Sequence, residues 1–327
     1  MQRGDVISTI LRWSGKSLLA LLLLLVLVIV AFRMAASMRE TRTRAELAPS
    51  WGHLVPTSSG GVFVQERGPA DGIPVVLFHG TAAWSELWRH TTPVLAAAGF
   101  HVIALDLPPF GFSDRPGNYT RQDQAARVND VLIQLKAAPA IIVGHSFGAG
   151  AATELAMRYP DRIRALVLLD AALGLTAAPA DAPWVIQPKW IREILVSLTI
   201  TNPVATKTLL ESLIEKKERA LPEFVAILQR PTTLRDSTPD IADWLYYFLG
   251  ADRGAVSADR TYARTKLPVA ILWGDKDTVT PVEQALDLRT LLPPETTLTL
   301  LPGLGHIPQI EDPALFNDAL LKTLGKL

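Results

Sequence analysis

Seven short apolar runs recur along the chain from about residue 60, separated by longer stretches of mixed polarity. They are GVFVQERG (61–68), IPVVLFHG (73–80), HVIALDLP (101–108), AIIVGHS (140–146), RALVLLDAA (164–172), VAILWGDKD (269–277) and TLTLLPGLGH (297–306). Most are rich in Val, Ile and Leu without alternation of polar and apolar positions. That is the pattern of parallel strands buried on both faces. The stretches 84–98, 120–137, 148–159, 281–292 and 313–325 carry helical periodicity instead. This strand–helix alternation predicts an α/β fold: a doubly wound, mostly parallel sheet with right-handed crossovers.

Two regions break the rhythm. Residues 173–266 hold no convincing buried strand. They hold the amphipathic segments PKWIREILVSLTI, VATKTLLESLIEKKERAL, PEFVAILQR and DIADWLYYFLG, separated by Pro and Gly. They read as a helical insertion between two sheet strands. The other break is LLALLLLLVLVIVAF (18–32), unbroken apolar, with Arg3, Arg12 and Lys16 before it and Arg33, Arg39, Arg42 and Arg44 after. Fifteen helical residues span about 22 Å, and extension to Ala36 gives about 28 Å, near a bilayer core. Arg33 can reach the headgroups by snorkelling. A retained anchor is the preferred reading. A cleaved signal peptide is the second, with Ala35 and Ser37 suited to a cleavage site but a long leading region and Arg33 against it. A buried core helix is the third. Basic residues on both flanks leave the orientation open. The predicted organisation is an N-terminal tail (1–16), a transmembrane helix (17–36), a linker (37–50), a core (51–172 and 267–327) and the inserted helices (173–266).

Composition narrows the function classes. The 327 residues include 32 basic and 32 acidic ones, so no basic excess points to nucleic acid. There is no cysteine, which excludes disulfides, thiolate catalysis and Cys-ligated zinc.

Ligands of open parallel sheets bind at the carboxyl ends of strands. The polar residues predicted there are His79, Asp106, Ser146, Asp170, Asp275, Asp277 and His306. Ser146 lies in Gly144-His145-Ser146-Phe147-Gly148, whose small residues allow a tight strand-to-helix turn. A serine needs a positioned base, and that base a carboxylate to orient it. Of six histidines only His306 follows Ser146 in the chain, after a strand and a Gly-Leu-Gly turn. His145, adjacent on a strand, is expected to point to the opposite side. Asp277, at the end of the strand before His306, is the preferred acid. Asp170, and Asp275 as a loop-stiffening residue, are the alternatives. His79, Asp106 and Asp114 read as loop braces. Trp84, Trp88, Trp184, Trp190, Trp244, Tyr246, Tyr247 and Phe248 either line a pocket or hold the insertion on the core.

The segments GHSFG, FHGT, DLPPFGFSDRP, WGDKDTVTP and GHIPQIEDP stand in the order and spacing of α/β-hydrolase fold enzymes. The resemblance runs from about residue 55 to the C-terminus, and the insertion resembles that family's cap. It implies Ser146 as nucleophile, Asp277 as acid, His306 as base, and the N–H groups of Phe147 and Thr81 as an oxyanion hole. Pro109 departs from it, since the family often has glycine there, and proline fixes φ and lacks a donor. The implied activity is that of a serine hydrolase of carboxylic esters, with no metal or organic cofactor. Its partners would be a small lipophilic ester and, through the N-terminal helix, a membrane. The same triad resembles that of carbon–carbon bond hydrolases and cofactor-free haloperoxidases, and a non-catalytic ligand-binding protein is the reading from another class. Serine in place of aspartate at the elbow argues against epoxide hydrolases and dehalogenases.

Overall fold

Strands in the order β1-β2-β4-β3-β5-β6-β7-β8 form one eight-stranded sheet in the computed structural model, which describes residues 3–173, 182–250 and 265–327. The strands are β1 Gly52–Thr57, β2 Gly60–Arg67, β3 Pro74–Phe78, β4 His101–Leu105, β5 Ala140–His145, β6 Ile163–Leu169, β7 Val269–Gly274 and β8 Thr297–Leu301. β1 and β2 form an antiparallel hairpin, β2 joins β4 antiparallel, and the remaining pairs are parallel.

The apolar runs lack alternation because both faces of the sheet are covered. Val76, Phe78, Ile103 and Ile142 pack with helices on one face, and Val75, Leu77, Val102, Ile141 and Val143 with helices on the other. The helices, in chain order, are α1 Arg3–Arg39, α2 Arg44–Leu47, α3 Thr92–Ala97, α4 Arg121–Gln134, α5 Phe147–Arg158, α6 Lys189–Leu198, α7 Thr206–Leu213, α8 Pro222–Gln229, α9 Ser237–Leu249, α10 Val282–Leu291, α11 Pro308–Glu311 and α12 Pro313–Leu324. α4, α5 and α10 cover the first face, and α3 and α12 the second. Helices α6 to α9 lie between β6 and β7. The parts of the predicted insertion at 174–181 and 251–264, and residues 1–2 of the tail, lie outside the described residues.

Several predicted boundaries shift, each for a physical reason. The stretch 84–98 is a 3-10 turn at Ser85–Trp88 followed by α3. Pro93 is tolerated only in a first helical turn, so α3 cannot extend back through it. The single helix read across 204–221 ends at Leu213. Ile214 is extended there (φ −117°), Leu213 accepts the His306 N–H (2.9 Å), and the N–H groups of Glu215 and Lys216 donate to Glu311 (2.9 and 3.1 Å). Tertiary hydrogen bonds override helical propensity. β1 is absent from the sequence reading. It is an edge strand, mostly exposed and carrying Pro56, which an edge tolerates.

The stretch 37–50, read as a linker, is attached along its length. α1 continues through Arg39, whose guanidinium donates to the Thr201 carbonyl (3.0 Å). Buried Glu40 accepts from the N–H and hydroxyl of Thr238, Arg42 bridges Leu234, and Arg44 pairs with Asp114. Among the described residues one helix stretch, Lys16–Arg39, is long and apolar enough to cross a membrane, with a mean hydropathy of 3.0 over an 18-residue window.

Candidate active site

β5 ends at His145 and α5 begins at Phe147, so the chain reverses direction on a single residue. That residue, Ser146, has φ +51° and ψ −120°. Two neighbouring positions need glycine for steric reasons. A Cβ at Gly144 would lie 2.7 Å from the Ala152 Cβ, and one at Gly148 would lie 2.5 Å from the His79 carbonyl oxygen. The strain at Ser146 is held by three backbone bonds: its N–H donates to Leu169 (3.0 Å), and its carbonyl accepts from Ala149 (3.0 Å) and Ala172 (3.1 Å).

Three of the residues singled out in the sequence form one hydrogen-bonded chain. Ser146 Oγ lies 2.8 Å from His306 Nε2, and His306 Nδ1 lies 2.7 Å from Asp277 Oδ2. All three are buried. Asp277 is itself fixed by the turn DTVT. Its Oδ1 accepts from the N–H groups of Val279 (2.7 Å) and Thr280 (2.9 Å), and its Oδ2 from the Thr280 hydroxyl (2.6 Å). Burial alone would raise the Asp277 carboxyl. The hydrogen bond and charge of His306 and the donors of Thr280 outweigh it and hold the group below its ordinary value.

The other two aspartates sit differently. Asp275 accepts from the Gly303 N–H (2.7 Å) and ties the loop after β7 to the loop after β8. Asp170 is fully buried. Its Oδ1 accepts from Gly274 (2.8 Å) and its Oδ2 has no partner among the described residues. Burial first, and then the charge of neighbouring Asp277, push its carboxyl well above the ordinary value.

The loop after β3 runs directly against the serine elbow. A Cβ on Gly80 would meet the Ser146 Cβ at 3.1 Å, so glycine lets the Thr81 backbone approach. Phe147 N–H opens α5 and has no partner within its helix. His79 braces this loop: Nδ1–H donates to the Gly80 carbonyl (2.7 Å), and Nε2 accepts from Leu107 N–H (2.9 Å). Asp106 accepts from Ser85 N–H and Phe112 N–H, both at 2.7 Å, and burial raises it to about 6. Asp114 accepts from Gly61 N–H (2.6 Å). Among the described residues no group of three or more His, Asp or Glu is placed to hold a metal ion.

His145 differs from its sequence reading. Its ring does not turn away from the site. It stands 5.3 Å from the His306 ring, and its Nε2–H donates to the His306 carbonyl (2.7 Å). Strand alternation fails here because Ser146 has already left the strand. Gln309 faces His145 Nδ1 at 3.4 Å, and the carboxylate of Glu311 accepts from Gly305 N–H (2.8 Å) beside His306. Thr280, Gln309 and Glu311 were not singled out as functional in the sequence. The signal for Thr280 was present in Asp-x-x-Thr, a spacing that closes a turn on the aspartate.

Burial, reinforced by the charge of His306, lowers His145 from 6.5 to about 3. Below pH 6.5 the unfolded chain therefore binds a proton there that the folded chain refuses, and the folded state loses stability as the pH falls. A His145→Gln variant lacks this loss. Its stability deficit relative to wild type is expected to shrink by about 2 kcal/mol between pH 7 and pH 5. Urea unfolding at both values measures this, and an unchanged deficit would mean that the folded state accepts the proton.

The model of the alpha/beta hydrolase fold family matches residues 73–313. The chain belongs to that family. A 2-hydroxymuconate semialdehyde hydrolase of Pseudomonas sp. is 29% identical over 258 residues, covering 75% of this chain and 84% of the relative. An esterase from Thermogutta terrifontis superposes with a TM-score of 0.68 at 23% identity, over 84% of this chain and 98% of the esterase. A membrane phospholipase A described as a bacterial virulence factor superposes with a TM-score of 0.67 at 21% identity, over 99% of both chains.

In this member of the alpha/beta hydrolase fold family, the serine opens onto a cavity of about 320 Å³. Ile200, Leu209, Leu213, Leu228, Phe248 and Ile307 are among its walls, and among the described residues no Asp, Glu, Lys or Arg lines it. The aromatics divide between roles. Trp244 is buried and packs on Phe110 and Phe147, with ring centroids 4.8 and 5.3 Å apart, while Phe248 lines the cavity. Trp84 and Trp88 are buried in the core. Trp184 and Trp190 do neither and stand 83% and 64% exposed.

Proposed function

We propose that this chain is a membrane-anchored serine hydrolase that cleaves carboxylic esters of apolar acyl chains. One observation carries the reading: the Ser146–His306–Asp277 chain ends in a predominantly apolar cavity. Ser146 Oγ attacks the ester carbonyl while His306 Nε2 takes its proton. Asp277 holds Nδ1–H and stabilises the imidazolium. The N–H groups of Phe147 and Thr81 receive the oxyanion, each donor contributing about 3 kcal/mol. His306 then protonates the leaving alkoxide, and a water deprotonated by His306 cleaves the acyl-enzyme. Anchoring is supported by the apolar stretch of α1 and by the contacts that residues 33–44 make with the folded domain.

Carbon–carbon bond hydrolysis is the second reading, favoured by the likeness to the 2-hydroxymuconate semialdehyde hydrolase. A muconate-type substrate is an anion, and among the described residues no lysine or arginine lines the cavity. Activity on p-nitrophenyl esters of graded length separates the two. kcat/KM is expected to rise by up to about fourfold per methylene until the cavity is filled. A flat profile beside turnover of an anionic vinylogous diketone would reverse the assignment.

A further inference from the structure

We propose that the exposed aromatic end of the inserted helices lies in the membrane interface, so that ester substrates pass from the bilayer into the cavity. This rests on the anchored ester-hydrolase reading and adds the position of the domain and the source of its substrate.

The argument is one of register. α1 packs against α6, and the two run in the same direction: Arg33 pairs with Glu193 (2.9 Å), and six residues later Arg39 reaches the Thr201 carbonyl. The face of α1 turned to the protein is Ile29, Phe32, Arg33 and Ala36, and it begins inside the apolar run 18–32. Trp190 lies three residues before Glu193, about 4.5 Å further toward the membrane, level with Val30. The start of α6 therefore stands at the depth where the apolar run ends.

α9 brings a second set of side chains to the same end. It runs antiparallel to α6: Thr238 meets Thr201 at one end, and Arg192 stacks over Tyr246 (5.2 Å) at the other. Its last residues, Tyr246, Phe248 and Leu249, are 40–45% exposed. Exposed Trp184 follows two residues after Ala182, which is in contact range of Gly250 at the end of α9. Tryptophan and tyrosine beside an apolar surface favour the headgroup boundary, where the ring is desolvated and the polar edge stays wet. Contiguous exposed apolar groups of this kind need a partner. The helix that places them at this level is itself membrane-spanning in character, which identifies the partner as a bilayer. Phe248 is both exposed and a wall of the cavity, so the apolar surface continues from the patch to Ser146.

The chain has no cysteine, which makes it suited to site-directed spin labelling. Trp184→Cys, Trp190→Cys, Leu249→Cys and Val204→Cys, each nitroxide-labelled, would be examined as full-length protein in phosphatidylcholine–phosphatidylglycerol vesicles. Val204 is 84% exposed and lies past the opposite end of α6. Labels at 184, 190 and 249 are expected to be open to oxygen and closed to an aqueous nickel chelate, with the label at 204 open to the chelate. Equal chelate access at all four positions overturns the proposal. So does strong spin–spin broadening at 190, which would seat a second copy of the chain there. In parallel, the Trp184→Ser/Trp190→Ser double variant is expected to lose about tenfold or more in turnover of a vesicle-embedded long-chain ester. It is expected to keep kcat/KM for soluble p-nitrophenyl butyrate within about twofold, because neither side chain lines the cavity. An equal loss on both substrates counts against the proposal. If the wild type cleaves no ester at all, the functional reading fails, and the nitroxide depths still decide the docking.

Discussion

Ser146→Ala is expected to lower kcat for p-nitrophenyl esters by roughly a millionfold and to abolish labelling by a fluorophosphonate. The hydroxyl is the atom that forms the acyl bond, and among the described residues no other hydroxyl shares its contact with His306 Nε2 at 2.8 Å. The substitution leaves the elbow intact, because its backbone bonds to Leu169, Ala149 and Ala172 do not involve the side chain. The residual rate comes from the oxyanion donors and from binding, which survive the loss. A far-ultraviolet dichroism spectrum matching wild type confirms that the variant is folded. Undiminished labelling of the variant would remove Ser146 from the chemistry and leave the fold as a ligand-binding scaffold.

The second large effect separates two aspartates that end adjacent strands. Asp277→Asn is expected to reduce kcat about ten-thousandfold, and Asp170→Asn by less than about tenfold. At 277 the side chain accepts Nδ1–H of His306 and carries the charge that stabilises the imidazolium. An amide loses the charge, and its NH₂ group favours the tautomer with the proton on Nε2, facing the serine. At 170 burial and the neighbouring Asp277 push the carboxyl toward its neutral form, which an amide matches in shape and charge. Its oxygen can still accept from Gly274 N–H. Steady-state kinetics on both variants is the measurement. The opposite ranking would move the acid to the end of β6.

Much of this architecture was legible in the chain because its cause is local. A strand such as PVVLF needs apolar residues on both faces, and that requirement appears as an unbroken run. The elbow is legible because two glycines are forced by atoms 2.5 to 2.7 Å from any added Cβ. His306 is legible because it is the one histidine that follows Ser146 in the chain. β1 was not legible, since a half-exposed edge strand with a proline has no pattern to show. The end of α7 was not legible either. The helical periodicity continues past Leu213, and the chain leaves the helix only because the His306 loop and Glu311 take its backbone groups. His145 misled because a two-residue alternation was applied up to the point where positive φ at Ser146 ends it.

The sequence by itself determined the sheet class, the inserted helices, the apolar N-terminal run and the short set of residues able to do serine chemistry. Each is written in spacing and side-chain type within a few dozen residues. Only the tertiary structure decided how residues 33–44 attach to the inserted helices, which carboxyl faces His306, which one is buried away from it, and what surrounds the serine. Those depend on groups more than a hundred residues apart, such as Arg33 with Glu193, Asp170 with Gly274 and Ser146 with His306. Contacts at that separation leave no periodic trace in the chain, because they arise from where whole elements pack and not from what any one element needs to form.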